Sequence, residues 1–508
     1  MRGKIMLESI VTSVNDVVWS IPLIILILGA GIYFSVRMKF PQLRLIKEMF
    51  RLLGDNKGKG TDEGVSGLRA FIMTAAGRVG VGNIAGMATA IALGGPGAIF
   101  WLWVVALFGT AIALIESTLA QAYKITVNGE FRGGPAYYIE KGIGKKWYAK
   151  AFALVTILAP GILMPGVQSY NITSSLNQAF GWNTLIIAIV LAVVVGICIF
   201  GGVKRISAVA EKVSPFMACA YLLVSFIIIG ANISKVPGVF MMIVQSAFSV
   251  QPVFGALAGA ALSKGVMRGV FANEAGQGTS AIMAGSADVS HPVKQGLASC
   301  LSVYAGTILV CTTSAFMILL TGCYNVVGPA GGFLFEGMPG KEYGVAYVHG
   351  AIDTIFPGFG APFIAVSILL FAFIALLAYY YYAESNLVYV FHETKAWMKS
   401  NKPFLYVFRG IFILAAFQGC LQAVSVVWTM GDIGCGLMTW LNVIAVLILS
   451  NQGLAIFKDY ERQKKLGLEP VFDPDLLGIQ NAGSVWRDRL AEYKVAQMAD
   501  AEEKGIAA

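Results

Sequence analysis

Long runs of apolar residues alternate with short polar connections along most of the chain. A helix needs about 20 apolar residues to cross the hydrocarbon core of a bilayer, and a window of about 19 residues finds such runs repeatedly. The pattern therefore predicts an all-α polytopic membrane protein with about 11 transmembrane helices. The predicted spans are 17–36, 67–92, 98–123, 150–180, 184–201, 208–231, 238–263, 295–321, 360–391, 408–430 and 434–457.

The composition excludes several classes of protein. Hydrophobic residues make up 57% of the chain and charged residues 13%, whereas soluble domains average about 45–50% and about 25%. A water-soluble enzyme is thereby excluded. The seven cysteines are scattered and show no CxxC spacing, which excludes a disulfide scaffold and a cysteine metal or redox site. The three histidines show no metal spacing, and no nucleophile–base constellation can be assembled, so no catalytic residue is predicted.

The net charge of +9 indicates a membrane topology. Of the 37 Lys and Arg residues, 32 fall in alternate connections between the predicted spans and in the tail from Lys458. The positive-inside rule then places the N-terminus outside and the C-terminus in the cytoplasm of a cell (inner) membrane protein. The basic charge thus predicts lipid contact and no nucleic-acid partner. The basic connections are 37–69, 124–150, 202–212, 264–294 and 392–409.

The topology predicts four segments. Residues 1–66 comprise an outer N-terminus, an accessory helix and a cytoplasmic connection, and the ten further spans divide into 67–231 and 237–457. Five crossings reverse the starting side, so these two units have opposite orientations, as in the inverted repeats of secondary transporters. Residues 458–508 are predicted as a cytoplasmic tail, a solvated regulatory or membrane-skimming segment rather than a second domain.

Glycine and proline interrupt the leading helix of each predicted repeat. The first reads TAAGRVGVGNIAGMATAI and the second QSAFSVQPVFGALAGAAL. Glycine lowers helix stability by about 1 kcal/mol and interior proline by about 3 kcal/mol. Paired interruptions predict a binding site at the membrane midplane. The alternative, that small residues only permit close helix packing, fits Gly82 and Gly86 but fits the GRVGVGN run poorly.

A broken helix presents two ends to the midplane, each with its own chemistry. The outer half begins near Gly82–Asn83, where its free amides and positive dipole end favour a carboxylate. The inner half ends near Ala76–Gly77, where free carbonyls favour a small cation. This combination suits a zwitterionic amino acid that travels with a cation.

Several long motifs resemble the alanine or glycine:cation symporter family across nearly the whole chain. They are GVGNIAGMATAIALGGPGAIFWLWV, NGEFRGGPAYYIEKG, FANEAGQGTSAIMAG and HPVKQGL. The resemblance implies the LeuT-like fold of two inverted five-helix repeats and a monomer sufficient for transport. It also implies import of alanine, glycine or, in some branches, glutamine with Na+, and H+ is the alternative coupling ion. No other cofactor or metal is implied.

The resemblance, which extends to the broken first helix of neurotransmitter:sodium symporters, also implies site residues. Carboxylate contacts fall on the amides of Val81 and Gly82, with Gly77 and Gly80 beside them. Cation ligands fall on the Ala76, Arg78 and Val79 carbonyls and the Asn83 side chain. Further residues are placed around the substrate, namely Gln168, Tyr170, Phe254, Gly255 and Tyr379.

Some of these assignments have structural alternatives. Gln168 could make only a packing hydrogen bond, and Phe254 could be an ordinary core residue. The family often has Asn where Tyr170 stands, which changes the pocket shape, and Thr or Ser where Ile374 and Ala375 stand. The missing hydroxyls put one cation position in doubt.

Three charged residues, Arg78, Glu116 and Glu384, lie inside predicted spans, where a charge needs a partner or water. Arg78 either engages a carboxylate or replaces a coupling cation, or it forms a structural pair with Glu116 or Glu384. The NEAGQG segment, Asn273–Gly278, is predicted as a cytoplasmic gating or capping loop. A passive channel is the remaining alternative to a symporter, but a channel would need a continuous polar pore.

Overall fold

The computed structural model describes residues 2–55, 64–249, 254, 257–395, 397 and 400–505. Within this part of the chain, eight helical stretches are long and apolar enough to cross a membrane. The chain is therefore a multi-pass membrane protein, and the predicted spans 184–201, 238–263 and 408–430 are not among the eight. The eight are Ser9–Arg37, Gly67–Gly94, Gly97–Ala122, Lys146–Phe180, Lys212–Ala231, Pro292–Thr321, Gly360–Phe391 and Val424–Ile448.

The described residues form short strands and many helices. The helices of the first half are α1 (Arg2–Val18), α2 (Ile21–Arg37), α3 (Pro41–Arg44), α4 (Ile46–Asp55), α5 (Gly67–Arg78), α6 (Val81–Gly94), α7 (Gly97–Ala122), α8 (Pro135–Tyr138), α9 (Lys146–Leu158), α10 (Pro165–Phe180), α11 (Thr184–Ile199), α12 (Gly202–Ala231) and α13 (Val236–Ala247). Those of the second half are α14 (Ala258–Asn273), α15 (Thr279–Ala284), α16 (Pro292–Val303), α17 (Thr312–Thr321), α18 (Val345–Asp353), α19 (Gly360–Phe391), α20 (Lys402–Gly419), α21 (Val424–Ile448), α22 (Ser450–Lys465), α23 (Ser484–Asp488) and α24 (Leu490–Glu503). Wide π-helical turns span Ile139–Ile143, Ala159–Leu163 and Tyr304–Cys311, and a 3₁₀ turn spans Ile233–Lys235. The strands are β1 (Val65–Ser66), β2 (Ile125–Val127), β3 (Glu130–Arg132), β4 (Ala287–Asp288), β5 (Asn325–Val327) and β6 (Phe333–Glu336).

The predicted span 238–263 comprises parts of two helices, α13 and α14, rather than one. Its first part, α13, lies beside the N-terminal end of α7, where the Phe240 ring stacks on Trp103 with 5.9 Å between centroids. Phe248, just after α13, packs its ring edge against Phe100 at 5.0 Å. The next helix, α14, begins at Ala258 and runs on to Asn273, and it is not among the eight apolar stretches. Much of the predicted cytoplasmic connection 264–294 is therefore helix, namely 264–273, 279–284 and 292–294.

The two broken helices run antiparallel, with their interruptions side by side. The α5–α6 interruption is at Val79–Gly80, as the glycine run predicts. The α14–α15 interruption is the NEAGQG segment, Glu274–Gly278. The predicted break at Pro252–Gly259 falls instead between α13 and α14, and its Pro252 and Gly255 lie outside the described residues. A Cβ at Gly82, just past the first interruption, would stand 3.0 Å from the Phe271 ring, just before the second.

Positive φ angles prevent the helix from continuing through the second interruption. Glu274, Gly276 and Gly278 have φ of 54°, 85° and 83°, a region that favours glycine and that no helix contains. There is also no room for a side chain at Gly278, because a Cβ there would stand 2.4 Å from the Pro135 ring. The glycines of NEAGQG therefore serve a tightly packed non-helical segment within the bundle. The Gln277 amide caps α14 by donating to the Val270 carbonyl at 2.7 Å, in agreement with the predicted capping role.

A cap of short elements covers the end of the bundle where α5 begins and α15 ends. Strand β1 pairs in parallel with β4, joining Ser66 to Asp288 in register. The polar tail folds over this end, with Phe472 and Trp486 almost completely buried. The predicted solvated tail is therefore docked at these two aromatic side chains, while much of its last helix, α24, remains exposed.

Gly285, at the end of α15, offers a test of this close packing. A Cβ there would stand 2.6 Å from the Gly133 Cα, and overpacking of this kind costs about 1–3 kcal/mol. We expect Gly285→Ala to lower the thermal unfolding midpoint of the detergent-purified protein. Gly238→Ala is the matched control, because a Cβ at that exposed position meets no atom within 4 Å and alanine favours the helix. Equal midpoints for the two variants would contradict the packing argument.

Candidate functional site

The first interruption releases two backbone carbonyls from the helical pattern. The Gly80 N–H donates to the Asn83 side-chain oxygen at 3.0 Å rather than to the carbonyl of Ala76, four residues earlier. The Val81 N–H lies 3.4 Å from the Gln168 side-chain oxygen rather than bonding to Gly77. The carbonyl end of α5 and the amide end of α6 thus face each other, as the sequence predicts, and unsatisfied carbonyls and amides are the groups that bind cations and anions respectively.

A polar chain lies at the amide end of α6. The Gln168 Oε1 faces the Val81 amide, and its Nε2 donates to the Tyr379 hydroxyl at 3.1 Å. A Cβ at Gly80 would stand 3.4 Å from Gln168 and from the Ala375 methyl group. The structure therefore brings together four predicted substrate residues, which are Gly80, Val81, Gln168 and Tyr379. Ala375, where the family often has a hydroxyl side chain, lies beside them.

Asn83 braces the interruption against a neighbouring helix. Its Nδ2 donates to the Gly306 carbonyl at 2.8 Å and to the Cys311 Sγ at 3.2 Å, both in the wide π-helical turn between α16 and α17. Its Oδ1 accepts from Gly80 and retains a second lone pair. Ala76, Gly77, Val79 and Asn83 are all buried at this point, so the freed carbonyl oxygens are shielded from solvent.

The second interruption adds a buried carboxylate that the sequence interpretation missed. The Glu274 Oε2 accepts hydrogen bonds from the Thr279 hydroxyl at 3.0 Å and the Tyr382 hydroxyl at 3.2 Å. A Cβ at Gly77 would stand 2.6 Å from that same Tyr382 oxygen, so Glu274 lies one side chain away from the first interruption. The polar NEAGQG sequence was the available signal, and its assignment to the cytoplasm concealed it.

Arg78 is fully buried and donates to three groups on other helices. Its guanidinium bonds the Ser299 carbonyl at 2.6 Å, the Ser302 hydroxyl and the Ser280 Oγ at 2.8 Å. Ser280 in turn donates to the Glu116 Oε1 at 3.1 Å, so Arg78 reaches Glu116 through a hydroxyl rather than directly. The buried carboxylates Glu274 and Glu116 both supply negative charge near the Arg78 guanidinium.

The alternative pairing of Arg78 with Glu384 is wrong. Glu384 lies 3.7 Å from the Arg132 guanidinium, which also pairs with Glu130 at 2.6 Å. Glu116 is held further by the Asn442 Nδ2 at 2.7 Å. The three predicted intramembrane charges thus belong to two separate networks, one at the interruptions and one near strand β3.

A buried ion pair between Arg268 and Asp432 was also missed. The guanidinium lies 4.6 Å from the centre of the Trp428 ring and 5.5 Å from that of Phe271. Trp428 in turn lies 3.5 Å from the Cβ position of Gly86 on α6. The pair was hidden because Arg268 was assigned to a connection and Asp432 to the gap between two predicted spans.

Two predicted site residues lie away from the interruptions. Tyr170 lines a cavity of about 490 Å³, whose lining includes Trp428 but no residue of the α5–α6 interruption. Phe254 is buried beside Gly95, whose Cβ position is 3.7 Å from the Phe254 Cβ, and Gly95 follows the far end of α6, about 20 Å away along a 14-residue helix. Gly255 lies outside the described residues. Within the described part of the chain, no group of three or more His, Cys, Asp or Glu side chains could hold a metal ion.

Comparison with known proteins gives consistent matches over most of the chain. A family model described as the sodium:alanine symporter family matches residues 4–474. The chain is 48% identical over 472 residues to the putative sodium/proton-dependent alanine carrier protein YrbD of Bacillus subtilis, covering 93% of this chain and 96% of that protein. It is 44% identical to the sodium/proton-dependent alanine carrier protein of Bacillus sp. strain PS3 (85% and 96% covered) and 42% identical to the probable sodium/glutamine symporter GlnT of Bacillus subtilis (94% and 96% covered).

A solved structure supports the architecture. The crystal structure of a manganese transporter from Eremococcus coleocola is similar to 85% of this chain and 94% of that chain, with a TM-score of 0.52 and 13% sequence identity. At this identity the likeness concerns the fold alone, which is that of a membrane transporter.

Proposed function

We propose that this chain, which belongs to the sodium:alanine symporter family and is therefore a cation-coupled amino-acid transporter, imports alanine or glycine with Na+ by alternating access. The observation that carries this proposal is the pair of opposed helix ends at Val79–Gly80. The amide end of α6, with Gln168 and Tyr379 beside it, would bind the substrate carboxylate. The cytoplasmic membrane of the cell is the proposed location.

Close packing around the amide end favours a small substrate. Phe271 stands 3.0 Å from the Cβ position of Gly82, and Trp428 stands 3.5 Å from that of Gly86. A longer substrate side chain would have to displace one of these rings. The resemblance to a probable glutamine symporter makes glutamine the alternative substrate.

The proposed cation site uses the carbonyls of Ala76, Arg78 and Val79 with the free lone pair of the Asn83 oxygen. Carbonyl and amide oxygens are ligands of hard cations, and the Gly80 N–H bond to Asn83 leaves the Ala76 carbonyl available. H+ is the alternative coupling ion, since two relatives are named as sodium/proton-dependent carriers. Ile374 and Ala375 supply no hydroxyl to a further cation site.

The antiparallel broken helices support the inverted-repeat proposal in a revised form. Gly82 faces Phe271, whereas Gly94, at the other end of α6, faces the Lys264 Cβ at 3.2 Å. Such opposed directions are what two repeats of opposite orientation require. We therefore place α5–α6 as the leading broken helix of repeat 67–231 and α14–α15, preceded by the short α13, as the broken helix of repeat 237–457. The N-terminus is then outside and the tail in the cytoplasm.

Uptake into proteoliposomes tests the proposed function. We expect labelled alanine and glycine to accumulate above equilibrium under an inward Na+ gradient, because coupled entry draws on that gradient. Replacing external Na+ by choline should reduce uptake to the level of protein-free vesicles. Labelled glutamine tests the alternative substrate, and an inward proton gradient without Na+ tests the alternative ion. Uptake that never exceeds equilibrium under either gradient would contradict symport and favour a passive channel.

A further inference from the structure

The C-terminal tail is anchored to the cap by buried hydrogen bonds. The Gly483 N–H donates to the Ala122 carbonyl at 3.0 Å, and the Trp486 Nε1 donates to the Gln121 carbonyl at 2.9 Å. Both acceptors belong to the last residues of α7, whose C-terminal carbonyls have no helical donor. Trp486 is only 1% exposed, so the tail supplies both a donor and a packed aromatic ring to this helix end.

Lys124 joins the tail to the β2–β3 hairpin. Its ammonium group lies 4.4 Å from the centre of the Phe131 ring and 4.6 Å from that of Trp486, and it donates to the Ala287 carbonyl at 2.8 Å. A cation between two aromatic faces is stabilised by both rings. This contact ties the tail to strand β4 through a single buried side chain.

Two tail side chains bind the strand that closes the cap. Arg489 contacts Asp288 at 2.6 Å and Tyr493 donates to the same carboxylate at 2.8 Å. Asp288 pairs in β-sheet register with Ser66, the residue immediately before α5. Burial tends to raise the pKa of Asp288, but the Arg489 and Tyr493 bonds and the Lys124 charge bring it below its usual value.

The same strand pair joins the inner halves of both broken helices. Strand β1 leads directly into α5, and strand β4 follows α15 by two residues. Opening of this end of the bundle would have to separate or tilt these two short helices, because they cover the interruptions from that side. A segment that grips β4 and the end of α7 together would resist such a movement.

We propose that residues 475–505 form a latch that stabilises the closed state of this end of the transporter. The family model ends at residue 474, so the latch lies beyond the region that the family description matches. The latch stabilises the closed state through Trp486 and through the Arg489–Asp288 ion pair, whose side chains are only 17% and 10% exposed, respectively. Its release would increase the fraction of molecules open at the β1–β4 end. The consequence for transport rests on the proposed function, but the opening itself does not.

A cysteine reporter measures opening without any substrate. Ala284, at the end of α15, is completely buried, and Ala284→Cys would react with a hydrophilic maleimide only when the cap opens. The background would carry Ser in place of the cysteines that are not buried, which are Cys198, Cys219 and Cys323. The purified full-length protein is labelled in detergent, and the rate is compared among tail variants.

We expect Arg489→Gln to raise the labelling rate at least fivefold and Tyr493→Phe to raise it less. Arg487→Gln is the matched control, because Arg487 pairs with Asp475 inside the tail at 2.7 Å; its rate should change less than twofold. Thermal unfolding midpoints identify any variant that has lost its fold, and Tyr493→Phe provides the milder test. Unchanged labelling in both folded variants would overturn the latch, whatever the uptake measurements show about symport.

Discussion

Replacing Arg78 by Gln is expected to destabilise the folded transporter by about 3–5 kcal/mol, the usual effect of removing one member of a buried charge network. The change would leave Glu116 and Glu274 buried without their cation. It would also remove the donors to the Ser299 carbonyl and the Ser280 hydroxyl. The measurement is the thermal unfolding midpoint together with the yield of monodisperse protein after size-exclusion chromatography.

A double variant tests whether the loss of stability comes from the unpaired carboxylate charge. Because Glu116 reaches Arg78 through Ser280, the Arg78→Gln/Glu116→Gln double variant should recover part of the lost stability. Arg44→Gln is the control, since Arg44 pairs with Glu461 at a partly exposed site, where such pairs contribute about 0–1 kcal/mol. An Arg78→Gln protein that folds like the wild type but shows altered cation dependence would instead assign Arg78 to ion coupling.

Gln168→Glu is expected to raise the KM for alanine at least tenfold while preserving the fold. The side chain keeps its size and still accepts from the Val81 amide, which lies 3.4 Å away, and it would accept from the Tyr379 hydroxyl. Its negative charge would, however, stand where the substrate carboxylate is proposed to bind. Two like charges 4 Å apart repel by about 4 kcal/mol at an effective dielectric constant of about 20.

Gln178→Glu is the matched control for this substitution. It adds the same charge to the same helix, about 15 Å farther along α10, where Gln178 is exposed and bonds Ser174 at 3.0 Å. Initial rates of alanine uptake over a range of concentrations separate KM from the maximal rate. If both variants change KM equally, or if Gln168→Glu leaves KM unchanged, the carboxylate is bound elsewhere than at the Val81 amide.

The two interruptions show which parts of the site were predictable from sequence. The first could be located at Gly80 because three glycines within GRVGVGN weaken the helix locally, whatever surrounds it. The second could not, since the Gly and Pro residues of 252–259 and those of NEAGQG give similar local signals. Only the packing of α14 against α6 decides that Glu274–Gly278 lies beside the first interruption.

The charged residues show the same division. Sequence identified Arg78 and Glu116 as costly charges needing partners, but it suggested a direct pair where the structure has Ser280 between them. Arg268 and Asp432 are 164 residues apart, and no local pattern links them. Their partnership follows from two helices that meet in space, which hydropathy along the chain does not report.

The sequence by itself determined that the chain is a multi-pass membrane protein and that a helix of its first half is interrupted at Gly80. Both follow from apolar length and helix propensity, which are local properties. It also indicated the family, because long sequence motifs can be recognised from the order of the residues alone. The tertiary structure decided where the second helix breaks, which residues surround Arg78, and that the tail docks at Asp288. Each of these depends on contacts between distant segments, where burial makes an unpaired polar group costly and so selects its partner.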